Sequence, residues 1–504
     1  MKCVSKSTKK NLYIETKIIT FFFFFTYMII IGTIFVYFSL LLLISKLTIK
    51  NSNNELFFRA AQQSPWYFVA FGMIGASISG VTFVSVPGMV IEQNMSYTQT
   101  CIGFIFGYIL VALVLLPIYY RLNLITIYSF LKERLGERSY KIGASFFILS
   151  KMSGAAIKFY VVCMILQRFV LDNYNVPFPL TVVVLVLLIW LYTRKGGIRT
   201  LVFTDSFQTL CMFLTLFFII YKVIGALDMN FMEALNVIIN DRHSQMFVWN
   251  DWISTQNFWK QFLSGVFIVV VMTGLDQDMM QKNLTCKSLK DAQKDMCSYG
   301  FAFLPTNILF MGLGILLITF FQHKNIPLPT SPDELMLYPI ANGILGSGVE
   351  VLFTIGVVAA CFSSADSALT SLTTSVCVDI CEQPQNEQLR KYVHIGISIV
   401  FILFILIFKV LNSTSLINAV YILCSYTYGP ILGLFAYALL IRRHINDNLV
   451  PYIAIASPLF CFLLDNVALW LWNYKFGYEL LMLNGLFTFV GLVLIRNKKI
   501  GRKP

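Results

Sequence analysis

Charged residues are scarce in this chain of 504 residues: only 12% are Asp, Glu, Lys or Arg, whereas 57% are hydrophobic. A mean hydropathy of +0.73 excludes an ordinary soluble domain, which cannot bury so much apolar surface. The sequence also lacks a phosphate-binding-loop lysine motif, GxSxG and HExxH. Nothing therefore predicts nucleotide-driven transport or hydrolysis, and we expect no enzymatic activity.

Cysteine pairs are missing too, because the eleven cysteines offer no paired set in the predicted outer loops. A disulfide framework is not expected. The formal charge of +13 comes from short loops between apolar runs and not from one basic patch. We therefore predict no nucleic-acid partner, and no obligatory protein partner is inferred.

Long apolar runs dominate what is present, and they indicate about thirteen membrane-spanning helices in a lipid bilayer. The predicted spans lie at roughly 28–46, 67–92, 99–119, 142–170, 177–193, 201–225, 259–281, 297–322, 348–376, 392–410, 414–441, 450–470 and 477–495. The expected fold class is an all-α polytopic membrane protein.

Lys and Arg concentrate in alternate loops, such as 121–141 and 282–294. Because cytoplasmic loops carry the excess of basic residues, we predict a cytoplasmic C-terminus and, with an odd number of spans, an outside N-terminus. The expected location is the plasma membrane, or the inner membrane of a bacterium. A basic tail closes the chain after the last predicted span.

Residues 1–27 disagree with this topology, because they place five lysines on the predicted outer side. We interpret them as a doubtful N-terminal extension, with translation starting at Met28. The alternative is a signal peptide, for which no small-residue cleavage site follows.

The ninth span carries hydroxyl and carboxylate groups inside an apolar run. Ala360, Ser363, Ser364 and Ser367 fall on one helix face, with Asp366 beside them. One interpretation is oxygen ligation of sodium, because an ionisable group at membrane depth usually faces a partner, an ion or water. The other is that the hydroxyls bond to their own helix and Asp366 lies at a hydrated end.

The second span mixes Gly, Ser and Thr and ends in Pro87-Gly88. Such a composition weakens a helix and predicts a break, which would expose carbonyls able to ligate a cation. Close helix packing explains Gly75 and Ala76 equally well. In the sixth span Asp205 needs a counter-charge or a cation; the alternative is pairing with an Arg of the preceding loop.

Six motifs in register resemble the sodium:solute symporter family over nearly the whole chain from Met28 onward. The motifs are 57–60 (FFRA) with 64–67 (SPWY), 77–88 (SISGVTFVSVPG), 194–208 (RKGGIRTLVFTDSFQ), 276–282 (DQDMMQK) with 287–293 (KSLKDAQ), 363–369 (SSADSAL) and 426–433 (YTYGPILG).

This resemblance implies a LeuT-like transport core at 67–441, in which ten helices form two inverted five-helix repeats and the first and sixth core helices are broken. A peripheral helix at 28–46 precedes the core, and two peripheral helices with the basic tail, 450–504, follow it. It also implies secondary active transport that couples inward sodium flow to uptake of a small polar organic solute, with sodium as the coupling ion.

The family's ion sites carry over residue by residue. The principal sodium site looks like the carbonyls of Gly75, Ile78 and Ala360 with the hydroxyls of Ser363 and Ser364. A second position looks like Asp205, Asp366 and Ser367. Members that bind a second sodium tend to have Ser or Thr where this chain has Asp366. A second sodium, a proton shared by the two carboxylates, or neither can therefore occupy the second ion position.

The resemblance places the solute near the first and sixth core helices, with the tenth beside them. The predicted contacts are Ser77, Thr82, Phe83, Thr273, Asp276, Gln277, Tyr426 and Tyr428. A proton-coupled transporter or uncoupled uniporter on the same fold stays open as an alternative. A membrane sensor is a further alternative, and it would require an appended signalling domain.

Overall fold

The computed structural model of the chain describes residues 28–29, 31–48, 54–411, 416–441 and 443–496. The predicted extension at 1–27 and the end of the basic tail, 497–504, lie outside these residues. Within the described ranges, nine helices are long and apolar enough to cross a membrane, and two bent helix pairs raise the number to eleven. The chain is therefore an all-α polytopic membrane protein.

The first ten helices in the described residues run from the peripheral span to the middle of the chain. Their bounds are α1 Ile31–Thr48, α2 Asn54–Arg59, α3 Trp66–Ser77, α4 Gly80–Gln93, α5 Tyr97–Leu122, α6 Ser129–Arg134, α7 Glu137–Leu166, α8 Phe178–Gly196, α9 Ile198–Ala226 and α10 Phe231–Asn240.

The remaining ten helices complete the bundle. Their bounds are α11 Phe258–Val269, α12 Gln277–Asn283, α13 Leu289–His323, α14 Glu334–Ala341, α15 Ser347–Ser375, α16 Glu387–Leu411, α17 Leu416–Thr427, α18 Gly429–Leu440, α19 Val450–Trp472 and α20 Leu480–Leu494. To reach thirteen spans, α17 with α18 and the short α20 must also cross the membrane. That count, and the division into core and peripheral segments, stay predictions.

Two spans are bent, as the sequence predicted: α3 and α4 meet at 60°, and α11, extended by one turn to Gly274, meets α12 at 69°. Between α3 and α4, Ile78 and Ser79 adopt extended backbone conformations. In the predicted ten-span core, which runs from α3 to α18, the bends fall in the first and the sixth spans. Because five passes are an odd number, the second half begins on the opposite side of the bilayer, as an inverted repeat requires.

The first break falls in the Ser- and Gly-containing stretch around Ile78 and not at the proline. Pro87 lies inside α4, nine residues after Ile78. Its carbonyl packs against Gly314 of α13, where a methyl group would clash with the carbonyl oxygen. Pro87 is therefore a site of close helix packing and not the hinge.

Several helix bounds differ from the prediction because the apolar pattern hides polar helical turns. α13 begins at Leu289, eight residues before the predicted start at 297, since Ser288 accepts a hydrogen bond from the Asp291 backbone and caps a polar first turn. α10 lies between the predicted spans at 201–225 and 259–281, where no span was predicted, and a reciprocal capping box between Asn230 and Glu233 caps its first turn.

The helices that position the site pack closely. α9 lies along α3 and α15, and the Ser206 hydroxyl of α9 donates to the Phe68 carbonyl of α3 at 2.9 Å. A side chain at Gly75 would collide with Thr209 of α9. Glycine at position 75 therefore permits the close approach of α3 and α9, which supports the packing interpretation of this residue.

We expect Gly314→Ala to destabilise the protein by about 1–3 kcal/mol, because its methyl group must displace the Pro87 backbone. Gly312→Ala on the same helix is the matched control, since its methyl group would lie at 3.4 Å from the nearest Ile238 atom, an ordinary contact. The thermal unfolding midpoint of the purified protein should fall only for Gly314→Ala. Equal midpoints would contradict the close packing of α4 on α13.

Candidate functional site

A cavity of about 140 Å³ lies among the two bent pairs and the helices around them. Its polar lining comes from seven helices, from the two breaks and from the junction of α17 with α18. The polar lining residues are Ser77, Ser79, Thr82, Tyr97, Tyr108, Ser150, Lys151, Lys158, Thr273, Asp276, Asp278, Tyr299, Asn307, Ser364 and Tyr428. A cavity with polar and charged groups in its wall, inside an apolar bundle, is the arrangement expected of a solute pathway.

Five of the eight predicted solute contacts line this cavity: Ser77, Thr82, Thr273, Asp276 and Tyr428. Ser77 hydrogen bonds to Tyr299, whose hydroxyl accepts a hydrogen bond from Tyr108 at 2.6 Å. The two tyrosines were missing from the prediction. They come from α5 and α13, and no spacing within the sequence links them to Ser77.

The other three predicted contacts do not line the cavity. Phe83 is fully buried against Phe310 and Phe353. Gln277 accepts a hydrogen bond from the Ile127 backbone and donates to the Ile125 carbonyl.

Tyr426 packs against Phe462 of α19. It lies two residues from Tyr428, which does line the cavity, so the two tyrosines point to different surroundings. Phe83 thus packs in the core, Gln277 binds the backbone of the loop at 125–127, and Tyr426 contacts a neighbouring helix.

An ion-pair cluster forms one wall of the cavity. The Lys151 ammonium of α7 lies 2.6 Å from Asp278 Oδ2 and 3.3 Å from Asp276 Oδ2. The Tyr428 hydroxyl donates to Asp276 at 2.5 Å, and the backbone N–H groups of Asp278 and Met279 donate to the same carboxylate. Asp276 therefore caps α12 and ties it to α7 and to the junction of α17 with α18.

Oxygen atoms of three residues meet where α3 ends. The Ser364 hydroxyl of α15 donates to the Ala76 carbonyl at 3.0 Å and lies 3.4 Å from the Ala360 carbonyl. The helical hydrogen bonds of α3 end with Ile78 donating to Ile74, and those of α4 begin with donation to the Ser79 carbonyl. The carbonyls of residues 75–78 therefore lie between the last helical hydrogen bond of α3 and the first of α4. Neutral oxygens of this kind suit a hard cation such as sodium.

The structure brings some of the predicted sodium ligands together and gives another a different hydrogen-bond partner. Ala360 and Ser364 come together, and Ala76, which the prediction did not include, is the α3 residue whose carbonyl meets them. The Ser363 hydroxyl donates instead to Asp205 Oδ1 at 2.8 Å.

Asp205 forms a buried ion pair with a lysine, Lys282. Lys282 Nζ of α12 lies 2.7 Å from Asp205 Oδ2, and the two side chains are 2% and 1% exposed. Asp205 therefore pairs with Lys282 of α12, and not with an Arg of the preceding loop, which was the alternative to a cation in the sequence analysis. Sequence reasoning missed this partner, although Lys282 ends the quoted 276–282 motif.

Asp366 is fully buried and not at a hydrated helix end. Its carboxylate accepts hydrogen bonds from the Tyr192 hydroxyl at 2.7 Å and from the neighbouring Ser367 hydroxyl at 3.3 Å. With Ser363 joining Asp205 to α15, the residues predicted for the second position are adjacent. Lys282 supplies a positive charge beside them.

We expect Lys282→Met to destabilise the protein by about 3–5 kcal/mol, because it leaves the Asp205 carboxylate buried without a counter-charge. Adding Asp205→Asn should restore much of the loss, and thermal unfolding midpoints of the single and double variants measure the coupling. Lys287→Met, on the exposed surface nearby, is the control and should change stability by less than about 0.5 kcal/mol. Additive effects of the two site substitutions would contradict the ion pair.

The fold and the site together define a class of protein. Two broken helices in equivalent positions of two repeats, facing a cavity with polar groups in its wall, are the architecture of a secondary transporter. A family model for the sodium:solute symporter family matches residues 57–448, most of the chain. The chain belongs to the sodium:solute symporter family, whose coupling ion is sodium, and it is a multi-pass membrane transporter and not an enzyme.

Individual relatives are similar at low identity. The sodium/sialic acid symporter of Aliivibrio fischeri is 24% identical over 422 residues, which cover 79% of this chain and 80% of that protein. The rabbit (Oryctolagus cuniculus) sodium-dependent multivitamin transporter is 23% identical over 384 residues, covering 73% of this chain but only 58% of that protein.

A solved structure shares the fold. A substrate-bound, outward-open sodium-coupled sialic acid symporter superposes with a TM-score of 0.79, over 94% of this chain and 99% of that chain, at 19% identity. Likeness at this identity establishes the LeuT-like architecture alone.

Proposed function

We propose that this protein couples the inward flow of sodium to the uptake of a small polar organic solute. One observation carries the proposal: Ala76 and Ser364, whose oxygens meet at the break of the first core helix, also line the central cavity. The proposed ion site and solute site therefore share a wall.

Shared residues give a physical route to coupling. A cation held between the end of α3 and the face of α15 stabilises the arrangement of these helices that also forms the cavity. Ion and solute then favour the same conformer, and each raises the affinity for the other by the same factor. Alternating exposure of the cavity to the two sides of the membrane would convert this linkage into uptake.

The proposed principal ligands are the carbonyls of Gly75, Ala76, Ile78 and Ala360 with the hydroxyls of Ser363 and Ser364. Gly75 and Ile78 are retained because their carbonyls lie between the two helical ladders. Asp205, Asp366 and Ser367 remain the proposed second cation or proton position. There the Lys282 ammonium already balances one of the two carboxylates.

The proposed solute class follows from the cavity lining, which combines hydroxyl groups with charged side chains. A solute with hydrogen-bonding groups replaces the water that such a lining otherwise binds. Related proteins named for sialic acid and for vitamins transport polar organic molecules, which supports this class.

Ser364→Ala should raise the sodium concentration needed for half-maximal uptake by about tenfold, because it removes a ligand oxygen. Ser363→Ala should act in the same direction. Ser371→Ala is the control: it removes a buried hydroxyl of the same helix that donates to the Ala368 carbonyl, and its sodium dependence should match that of the parent. Uptake in proteoliposomes over a sodium series measures all three variants.

If the parent's uptake is the same in choline as in sodium, a uniporter on this fold replaces the proposal. If uptake follows a proton gradient instead, a proton-coupled transporter does. Unchanged sodium dependence in both serine variants of the proposed site would overturn the site assignment while leaving sodium coupling intact.

We also propose a plasma-membrane or bacterial inner-membrane location with the N-terminus outside and the C-terminus cytoplasmic. Cys381 tests this orientation, because it is exposed directly after the α15 span. In a variant whose only cysteine is Cys381, a membrane-impermeant maleimide should label inverted vesicles and not intact cells. A cysteine-free variant carrying Ile253→Cys, in a loop predicted outside, should show the opposite pattern. Labelling of Cys381 in intact cells would reverse the topology.

A further inference from the structure

Asp295 is a fully buried carboxyl group in the second turn of α13, and it lines neither the cavity nor the proposed ion positions. Its Oδ2 accepts a hydrogen bond from the Asn283 amide at 2.5 Å. Asn283 is fully buried too, and it is the last residue of α12, the second half of the bent sixth span. The contact therefore joins the end of α12 to α13.

No positive charge balances this carboxyl group. Within the described ranges, Asp295 forms no ion pair with a Lys, Arg or His side chain. Lys294, its neighbour in the chain, is exposed and lies over the Trp66 ring. Burying an ionised carboxylate without a counter-charge is so costly that such a group takes up a proton instead.

The titratable groups around Asp295 supply no positive charge either. They are Tyr120 of α5, Cys286 of the loop between α12 and α13, and Asp291, Cys297 and Tyr299 of α13. Arg59 of α2 faces Tyr120, and its guanidinium donates to the carbonyls of Asn123 and Leu124. Asp291 lies one turn before Asp295 on the same helix, so it would repel an ionised Asp295.

Two oxygen atoms of the contact have no partner among the described residues: Asp295 Oδ1 and Asn283 Oδ1. The Asn283 amide already uses both of its N–H groups, because it also donates to the Ala292 carbonyl at 3.0 Å. A primary amide and a carboxylic acid can form a cyclic pair, in which the amide N–H binds one carboxyl oxygen and the carboxyl O–H binds the amide oxygen. The structure shows the first of these bonds, and the two unpartnered oxygens are the atoms that the second would join.

We propose that Asp295 is a proton-binding site, in which one proton is bound to Oδ1 and donated to Asn283 Oδ1, completing an acid–amide pair between α12 and α13. The proton is taken from water and returned to it, and only the O–H bond forms or breaks. The inference goes beyond the proposed function and does not depend on it, because neither residue belongs to the proposed sodium or solute site. Loss of the proton at alkaline pH would break the second hydrogen bond, so the attachment of α12 to α13 depends on pH.

Asp295→Asn tests the proton, because an amide at this position can form both hydrogen bonds without one. In infrared spectra of the purified full chain at neutral pH, the parent should show the carbonyl stretching band of a protonated carboxyl group that Asp295→Asn lacks. Asn283→Leu should shift this band to higher frequency, because the acid loses its hydrogen-bonding partner. Asp291→Asn is the matched control and should keep the parent's band, since it removes a half-buried carboxylate to which the Ser288 hydroxyl donates.

Thermal unfolding over a pH series gives an independent measurement. The folded parent would hold a proton that an ordinary aspartate of the unfolded chain releases above about pH 4. Because the folded state then binds more protons than the unfolded state, a rise in pH destabilises it. The unfolding midpoint of the parent should therefore fall relative to that of Asp295→Asn as the pH rises from about 5 to about 9.

The proposal is overturned if the parent and Asp295→Asn show the same carboxyl bands, or if their unfolding midpoints differ by a constant amount across the pH series. It is also overturned if a folded Asn283→Leu protein keeps the parent's band unchanged. An Asp295→Asn protein that does not fold would contradict it as well, since that result is expected if a cation balances an ionised Asp295.

Discussion

The interior of a bilayer contains no water to hydrogen bond with the backbone of a broken helix. The candidate site depends on how this chain satisfies the backbone carbonyls of residues 75–78. The hydrogen bonds of α3 stop before the carbonyls of these residues, and those of α4 start after them. Such carbonyls are tolerated at membrane depth only where protein or a water-lined cavity satisfies them. Here α15 presents the Ser364 hydroxyl to the Ala76 carbonyl, and Ala76 and Ser77 line the cavity. The same break therefore requires a polar neighbour and supplies carbonyls to the proposed ion site.

Features encoded within one helix were predictable from the sequence. The spacing of Ala360, Ser363 and Ser364 places their oxygens on one face wherever the helix lies. The Ser and Gly residues around Ile78 weaken the helix locally, so the break could be predicted while its cause was partly misassigned to Pro87. Apolar length located the spans for the same reason, although it cannot detect polar turns such as the start of α13.

Contacts between helices were not predictable in this way. Lys151 and Lys282 are visible in the sequence as charges in or beside apolar segments, but their partners lie 125 and 77 positions away in sequence and are determined by packing. Side-chain direction near a bend is equally non-local. Phe83 and Gln277 belong to the two bent spans and do not line the cavity, and Tyr426 of α17 packs against Phe462 of α19.

The two buried ion pairs have a mechanical consequence for α12, which is only seven residues long. Asp278 near its start is joined to α7 through Lys151, and Lys282 near its end is joined to α9 through Asp205. Tilting α12 alone would separate opposite charges in a medium of low polarity, where uncompensated charge is costly. α12 therefore acts as a strut between α7 and α9: any movement that opens the cavity has to displace these three helices together or take place at elements outside them.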